Sequence, residues 1–372
     1  MEIIREGVVF ASVPGTDKQS CAFPGCCVLP NGRWIVSFRV ASKKDNVSDQ
    51  RVMFSYSDDQ GKNWSEPYMP FQRRPVDGKD GCFRAAYLSS FGGKRVSAAI
   101  FWIDATDLAR PFFNEKNGGL IDTRLFISWS EDCGETWSDP SIVDTMPYNV
   151  PTPVTGYCLN MPNGEIACQF ETYNEYDATC PWKFRSVMMF SSDGGRTWPR
   201  HVVVLPAERI YGWDQRISLL KDGSLIDMFW TYDNVTSTYL NIHSCKSVDG
   251  GYTWSKLWDT GIPGQPGLAL STLDGRLVVP YVDRTNSPAI RMRESQDDGR
   301  TWSKISEITL YDPSIECQTL VKKQMNDVWI ELEKYSVGLP APAILPDGKM
   351  LIVYYAGVDK DRTDIRWVLV RP

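Results

Sequence analysis

Short apolar runs, many alternating with polar positions, fill this chain between recurrent Gly-containing turns. Residues 51–56, 225–229, 289–293 and 350–354 are five- or six-residue runs rich in β-branched and aromatic side chains. That pattern predicts strands rather than helices. Six times, an apolar run meets a tight turn and a second apolar run follows. The turns are Asn31-Gly32, Gly92-Gly93, Asn163-Gly164, Asp222-Gly223, Asp274-Gly275 and Asp347-Gly348. Such dipeptides between apolar runs are strong hairpin signals, because Gly supplies the positive φ that the turn demands.

A second repeat interleaves with the first. Ser, Asp, Gly, Thr or Asn, and Trp recur at fixed spacing as Ser57-Asp59-Gly61-Asn63-Trp64, Ser130-Asp132-Gly134-Thr136-Trp137 and Ser191-Asp193-Gly195-Thr197-Trp198. Two further copies are Ser247-Asp249-Gly251-Thr253-Trp254 and Ser295-Asp297-Gly299-Thr301-Trp302. Asp accepts hydrogen bonds from turn N–H groups, Gly permits the turn, and Trp packs back on its own sheet. Each unit therefore reads as strand A, hairpin, strand B, longer loop, strand C, Trp turn, strand D. Repeats of this kind build radial β architectures. The expected fold is all-β: a six-bladed β-propeller, one domain over 1–372. Six hairpins but five Trp turns leave the last unit without a strand D. A strand near residues 3–10 is expected to close that blade.

Alternation of strand direction places both kinds of turn on one face of the disc. The B–C loops, 39–49, 104–122, 171–184, 232–237 and 283–288, lie on the other face and carry charge and aromatics, so chemistry is expected there.

Composition narrows the partner. A net charge of −6 opposes nucleic-acid binding, which needs a basic face. No apolar run approaches the ~18 residues of a membrane span. Residues 1–6 do not read as a secretion signal, and a cytoplasmic location is expected. Ten Cys without a CxxC pair and only two His argue against a metal site, and no cofactor is expected. Fourteen Trp and sixteen Tyr suit strands or a carbohydrate surface.

The five Trp turns resemble the Asp-boxes of the sialidases, and the resemblance extends over nearly the whole chain. It implies a glycosidase fold with its site opposite the boxes. Residues 37–45 are similar to a stretch of the animal sialidases, which makes Arg39 a substrate-binding arginine and Asp45 the acid/base. The family also places a glutamate eight residues before the fourth hairpin turn, where Asp214 stands. Glu171, ending the third B strand, is a further inward carboxylate for a catalytic pair. Arg84, at the start of the second A strand, is a candidate substrate charge. Trp102, Trp230 and Tyr232 are candidate stacking surfaces, and Asp283 and Arg284 candidate polar contacts.

The departures are as informative. Ala22 replaces one arginine of the family's carboxylate-binding triad, Trp230 stands where the second is expected, and Leu339 takes the place of the catalytic tyrosine. Each lost charged hydrogen bond costs roughly 1.5–3 kcal/mol of binding. The expectation is an exo-acting glycoside hydrolase on a sugar other than a standard sialoside. The alternatives are a true exo-α-sialidase with a rearranged arginine set, or a non-catalytic glycan-binding propeller.

Overall fold

The computed structural model describes residues 1–372 except 115, 149–150, 181–183, 207–208, 284–287 and 314–334. Among the described residues there are strands and turns but no helix. Strand β1 (Glu2–Phe10) precedes β2 (Ser20–Val28), β3 (Trp34–Ala41) and β4 (Arg51–Ser57). Next come β5 (Gly81–Ser90), β6 (Val96–Asp104), β7 (Thr123–Ser130) and β8 (Ser141–Ile142). A third group is β9 (Leu159–Asn160), β10 (Ile166–Thr172), β11 (Arg185–Ser191) and β12 (Arg200–Pro206). A fourth is β13 (Ile210–Leu219), β14 (Leu225–Asp233), β15 (Thr238–Tyr239), β16 (His243–Ser247) and β17 (Trp258–Asp259). Then follow β18 (Gln265–Pro266), β19 (Leu270–Ser271), β20 (Leu277–Asp283), β21 (Ala289–Ser295) and β22 (Ser303–Tyr311). The last are β23 (Val337–Ile344), β24 (Met350–Asp359) and β25 (Arg362–Arg371).

Hairpin neighbours in sequence are neighbours in each sheet. The orders are β5-β6-β7-β8, β12-β11-β10-β9, β13-β14-β16-β17 and β18-β20-β21-β22. One larger sheet runs β23-β24-β25-β2-β3-β4, and β1 adds to β25. Its two halves meet at a single parallel pair, Ser20 with Thr363. There the Thr363 side chain accepts the Cys21 N–H at 3.0 Å and donates to the Cys21 carbonyl at 2.6 Å.

As expected, the N-terminal strand supplies the outer neighbour of β25, antiparallel from Glu2 opposite Arg371 to Phe10 opposite Ile365. Gly7 faces Trp367 in this ladder, and a Cβ there would lie 2.8 Å from the indole. Only glycine admits that approach.

The Trp turns share one hydrogen-bond pattern. In the first, the Gly61 N–H donates to Ser57 Oγ at 2.8 Å, and the Asn63 N–H donates to Asp59 at 2.9 Å. Gly134, Gly195, Gly251 and Gly299 repeat the bond to their own Ser at 2.8–3.0 Å. The N–H and side-chain donors of Asn63 hold Asp59 down at about 2. These turns are rigid caps rather than reactive groups.

Apolar clusters join the sheets. Ile35, Phe54, Phe83, Ile100 and Trp102 pack β3–β4 on β5–β6. Ala85, Ile127, Cys168 and Val187 join the second group to the third, and Met188, Phe190, Leu225 and Phe229 join the third to the fourth. Met228 and Tyr281, then Val282 and Ile352, continue the series. Trp34, Phe38, Tyr355 and Trp367 join the first strands to the last, with the Trp34 and Trp367 rings edge-on at 5.4 Å.

Deleting residues 1–10 strips the outer partner from β25 and exposes Trp367. The truncated protein is expected to melt on the order of 10 °C lower in a thermal scan, at about 2–4 °C per kcal/mol for large domains. An unchanged midpoint would show that β1 contributes nothing to the fold.

Candidate active site

The first long strand of four units breaks register at one place. The breaks lie between Ala22 and Gly25 in β2, Phe83 and Ala85 in β5, Trp213 and Arg216 in β13, and Gly338 and Ala341 in β23. Phe23, Asp214 and Leu339, inside three of these bulges, have φ of +52°, +52° and +50°. Left-handed backbone is costly for side chains of this size and collects where a side chain must be re-aimed.

The bulges bring residues of different sheets together. Phe23 of β2 packs its ring 4.7 Å from the Arg84 guanidinium of β5, and Phe112 covers Arg84 at the same distance. Asp214 Oδ2 accepts a hydrogen bond from Gln265 Nε2 of β18. Asp214 Oδ1 lies 3.8 Å from Arg216 Nη2, and the Asp214 side chain remains 23% exposed.

Glu171, at the end of β10, lies beside Asp214 and is buried. Its Oε1 accepts the Gln215 N–H at 3.1 Å and the Thr155 hydroxyl at 3.3 Å, and its Oε2 accepts the Tyr173 hydroxyl at 3.2 Å. Burial, and then the neighbouring Asp214 charge, push the Glu171 carboxyl up to about 8, against the opposing Gln215 N–H and Arg216. At neutral pH Glu171 therefore retains its proton. A buried carboxyl that retains its proton beside a partly exposed one is the usual raw material of acid–base chemistry. Among the described residues, no group of three His, Cys, Asp or Glu side chains forms a metal-ligand cluster.

Residues 55–66, the first Trp turn, match the family described as BNR/Asp-box repeat. No curated protein matches the chain by sequence. Among solved structures, a protein of unknown function from Dyadobacter fermentans superposes with a TM-score of 0.76 at 20% identity, covering 99% of this chain and 98% of that one. The intramolecular trans-sialidase from Ruminococcus gnavus gives 0.64 at 14% identity over 98% of both chains. A sialidase from Streptococcus pneumoniae gives 0.66 at 12% identity over 98% of this chain and 70% of that one. The chain has the fold of the sialidases and carries a match to the BNR/Asp-box repeat at its first Trp turn.

Within that fold, Asp45 is exposed on the turn after β3. No hydrogen bond or ion pair among the described residues joins it to Asp214 or Glu171. The residue before it is firmly held. The Lys44 carbonyl accepts from Arg39 at 2.5 Å, its N–H donates to Asp361 at 2.8 Å, and its ammonium donates to the Tyr335 carbonyl at 2.6 Å.

Several sequence expectations need correction. Arg39 is fully buried under Phe23 and bound to Lys44 and Ser20, with its pKa pushed down to about 9 by burial and by Arg84. It braces the Asp45 turn instead of meeting a substrate. Trp102 is also fully buried, with its indole N–H on the Arg74 carbonyl at 2.9 Å and Gly81 against its ring. Trp230 and Tyr232 close a packed cluster with Tyr211 and Trp213, and Trp230 stacks on Tyr239 at 5.3 Å. None of these rings offers a face to a sugar. Asp283 is buried and 3.6 Å from Arg291, so it serves as an internal ion pair. Arg284 lies outside the described residues.

Phe23, Thr155, Arg216 and Gln265 were not anticipated. Counting eight residues back from each hairpin dipeptide returns Phe23, Arg84, Thr155, Asp214, Pro266 and Leu339. That spacing is a signal for Phe23 and Thr155. Nothing comparable marks Arg216 or Gln265.

A carboxyl whose native pKa exceeds its unfolded value stabilises the native state most at low pH. That contribution is lost as pH rises from the ordinary glutamate value of 4.5 through about 8. Glu171→Gln should therefore gain stability relative to wild type, on the order of 1–3 kcal/mol, between pH 5 and pH 8.5 in chemical denaturation. A difference independent of pH would mean that Glu171 is already ionised in the native protein.

Proposed function

We propose that residues 1–372 form one closed six-bladed propeller that hydrolyses terminal glycosidic bonds, acting on a sugar other than a standard sialoside. The observation that carries this reading is the carboxyl pair. Asp214 is partly accessible and re-aimed by a left-handed bulge, against a buried Glu171 that retains its proton. The likeness to sialidases and trans-sialidases supports the class of chemistry.

In this reading Asp45 donates a proton to the leaving oxygen, from a turn held in place by Arg39 and Lys44. Asp214 supplies the carboxylate that acts at the anomeric centre, as nucleophile or as base for water. Glu171 touches no substrate. Its neutral form brings no negative charge of its own to the site, and the hydrogen bond it accepts from Gln215 steadies the bulge. Leu339 at the equivalent bulge of β23 offers no hydroxyl nucleophile, and Trp230 in its aromatic cluster offers no cation. Both support a substrate unlike a standard sialoside. Arg84 against Phe23, and Arg216 beside Asp214, favour as a second reading a sialidase with a rearranged arginine set.

A panel of aryl glycosides that includes an aryl α-sialoside separates these readings. Turnover of a neutral or other sugar supports the first, turnover of the sialoside alone supports the second, and silence across the panel overturns both. On a cleaved substrate, Asp214→Asn should lower kcat by about 10³-fold or more, and equal turnover would remove Asp214 from the chemistry. Asp45→Asn should cost roughly 10²–10⁴-fold on phenyl glycosides, as loss of a general acid does, but little on dinitrophenyl glycosides, whose leaving group needs no proton. Equal losses on both would exclude Asp45 as the acid.

A further inference from the structure

Asp227 is an acidic side chain three residues into β14, fully buried, and no salt bridge to a Lys or Arg involves it among the described residues. Such a group is unfavourable in a strand interior unless its oxygens are well used. Both are used on one feature. Oδ1 accepts the Arg216 N–H at 3.1 Å, and Oδ2 accepts the Gln215 side-chain amide at 2.8 Å. Gln215 and Arg216 are the two residues that follow Asp214 through the bulge. Gln215 also donates its own N–H to Glu171, and its carbonyl accepts from Gln169 at 2.5 Å.

The other bulged hairpins supply an internal comparison. Asp227 stands opposite Ile217, three residues beyond Asp214. At the same register, opposite the third residue beyond Phe23, Arg84 and Leu339, stand Val36, Ala99 and Ile352. Only the hairpin whose bulge carries a carboxylate has an acid behind it. Simple packing, which Val and Ile satisfy elsewhere, does not call for one.

We propose that Asp227 is a positioning residue that sets the reach of Asp214 by clamping both residues of the bulge from behind. It touches no substrate and acts through Gln215 and Arg216. The consequence for catalysis rests on the glycosidase reading above; the clamp itself does not. A small displacement of a reacting group is enough to cost one or two orders of magnitude in rate.

Two variants and two readouts test this. Asp227→Ala removes both acceptors. Asp227→Asn can keep both contacts, because its oxygen receives the Arg216 N–H while its amide donates to Gln215 Oε1, which has no partner at present. Crystal structures should show Asp214 leaving its left-handed conformation and the Gln215–Glu171 bond broken in Asp227→Ala, with both retained in Asp227→Asn. An aryl glycoside that wild type cleaves should show kcat reduced about tenfold or more in the Ala variant with KM within about twofold, and near-wild-type kcat in the Asn variant. A folded Ala variant with Asp214 and the Gln215 bond unmoved overturns the proposal. Should the Ala variant not fold, Gln215→Leu removes one of the two clamps. An unmoved Asp214 with unchanged kcat in that variant overturns the proposal equally. If no glycoside is cleaved by wild type, the glycosidase reading fails while the crystallographic comparison still decides the clamp.

Discussion

The inner strands of these sheets are buried on both faces, and neither face can be left to water. Strand β14 is buried at all nine of its positions, and β3 at all eight. A single four-stranded unit of this kind has no independent core, so each must be covered on both sides by its neighbours. The chain meets that demand by packing successive sheets on one another and by bringing Trp34 of an early strand against Trp367 of the last. From this follow the use of β1 as a partner for β25 and the stereotyped turns on one side. Variable loops are then free to differ on the other side.

The same packing explains why the site takes the form it does. Strands that are buried on both faces present only their ends and irregularities to a ligand. A bulge is the cheapest irregularity that redirects a side chain without breaking the sheet. Asp214 is exposed because its backbone leaves the ladder for two residues. Glu171, ending a regular strand beside it, remains inside and keeps its proton. The protonation of Glu171 is thus a product of backbone geometry: the Asp214 carboxyl is lifted toward solvent and that of Glu171 is left behind in low dielectric. Aromatic side chains on regular β positions, such as Trp102, Trp230 and Tyr232, follow the same rule and are consumed by packing.

Much of the fold was legible in the chain itself. The Asn-Gly and Asp-Gly hairpins, the five Trp turns and the N-terminal strand that pairs with β25 are local signals, because a turn needs a particular φ and a strand needs its alternation. Asp214 was legible through its fixed spacing from a turn, and Glu171 as the last inward carboxylate of a B strand. Arg39 was expected at the start of a loop and in contact with substrate, but it is a buried residue of β3. Sequence cannot tell a guanidinium that meets a ligand from one that braces the turn carrying Asp45.

What the amino-acid order determined by itself is the repeat: which segments are strands, where they turn, and where in each unit an irregular residue falls. Tertiary structure alone decided which of those residues meet. Gln265 reaches Asp214 from fifty-one positions away, and Arg216 reaches the Thr155 carbonyl from sixty-one. Phe23 is held between two arginines of different sheets. Strand pairing is encoded over a few residues, whereas burial, and with it the proton on Glu171, is a property of everything packed around a group.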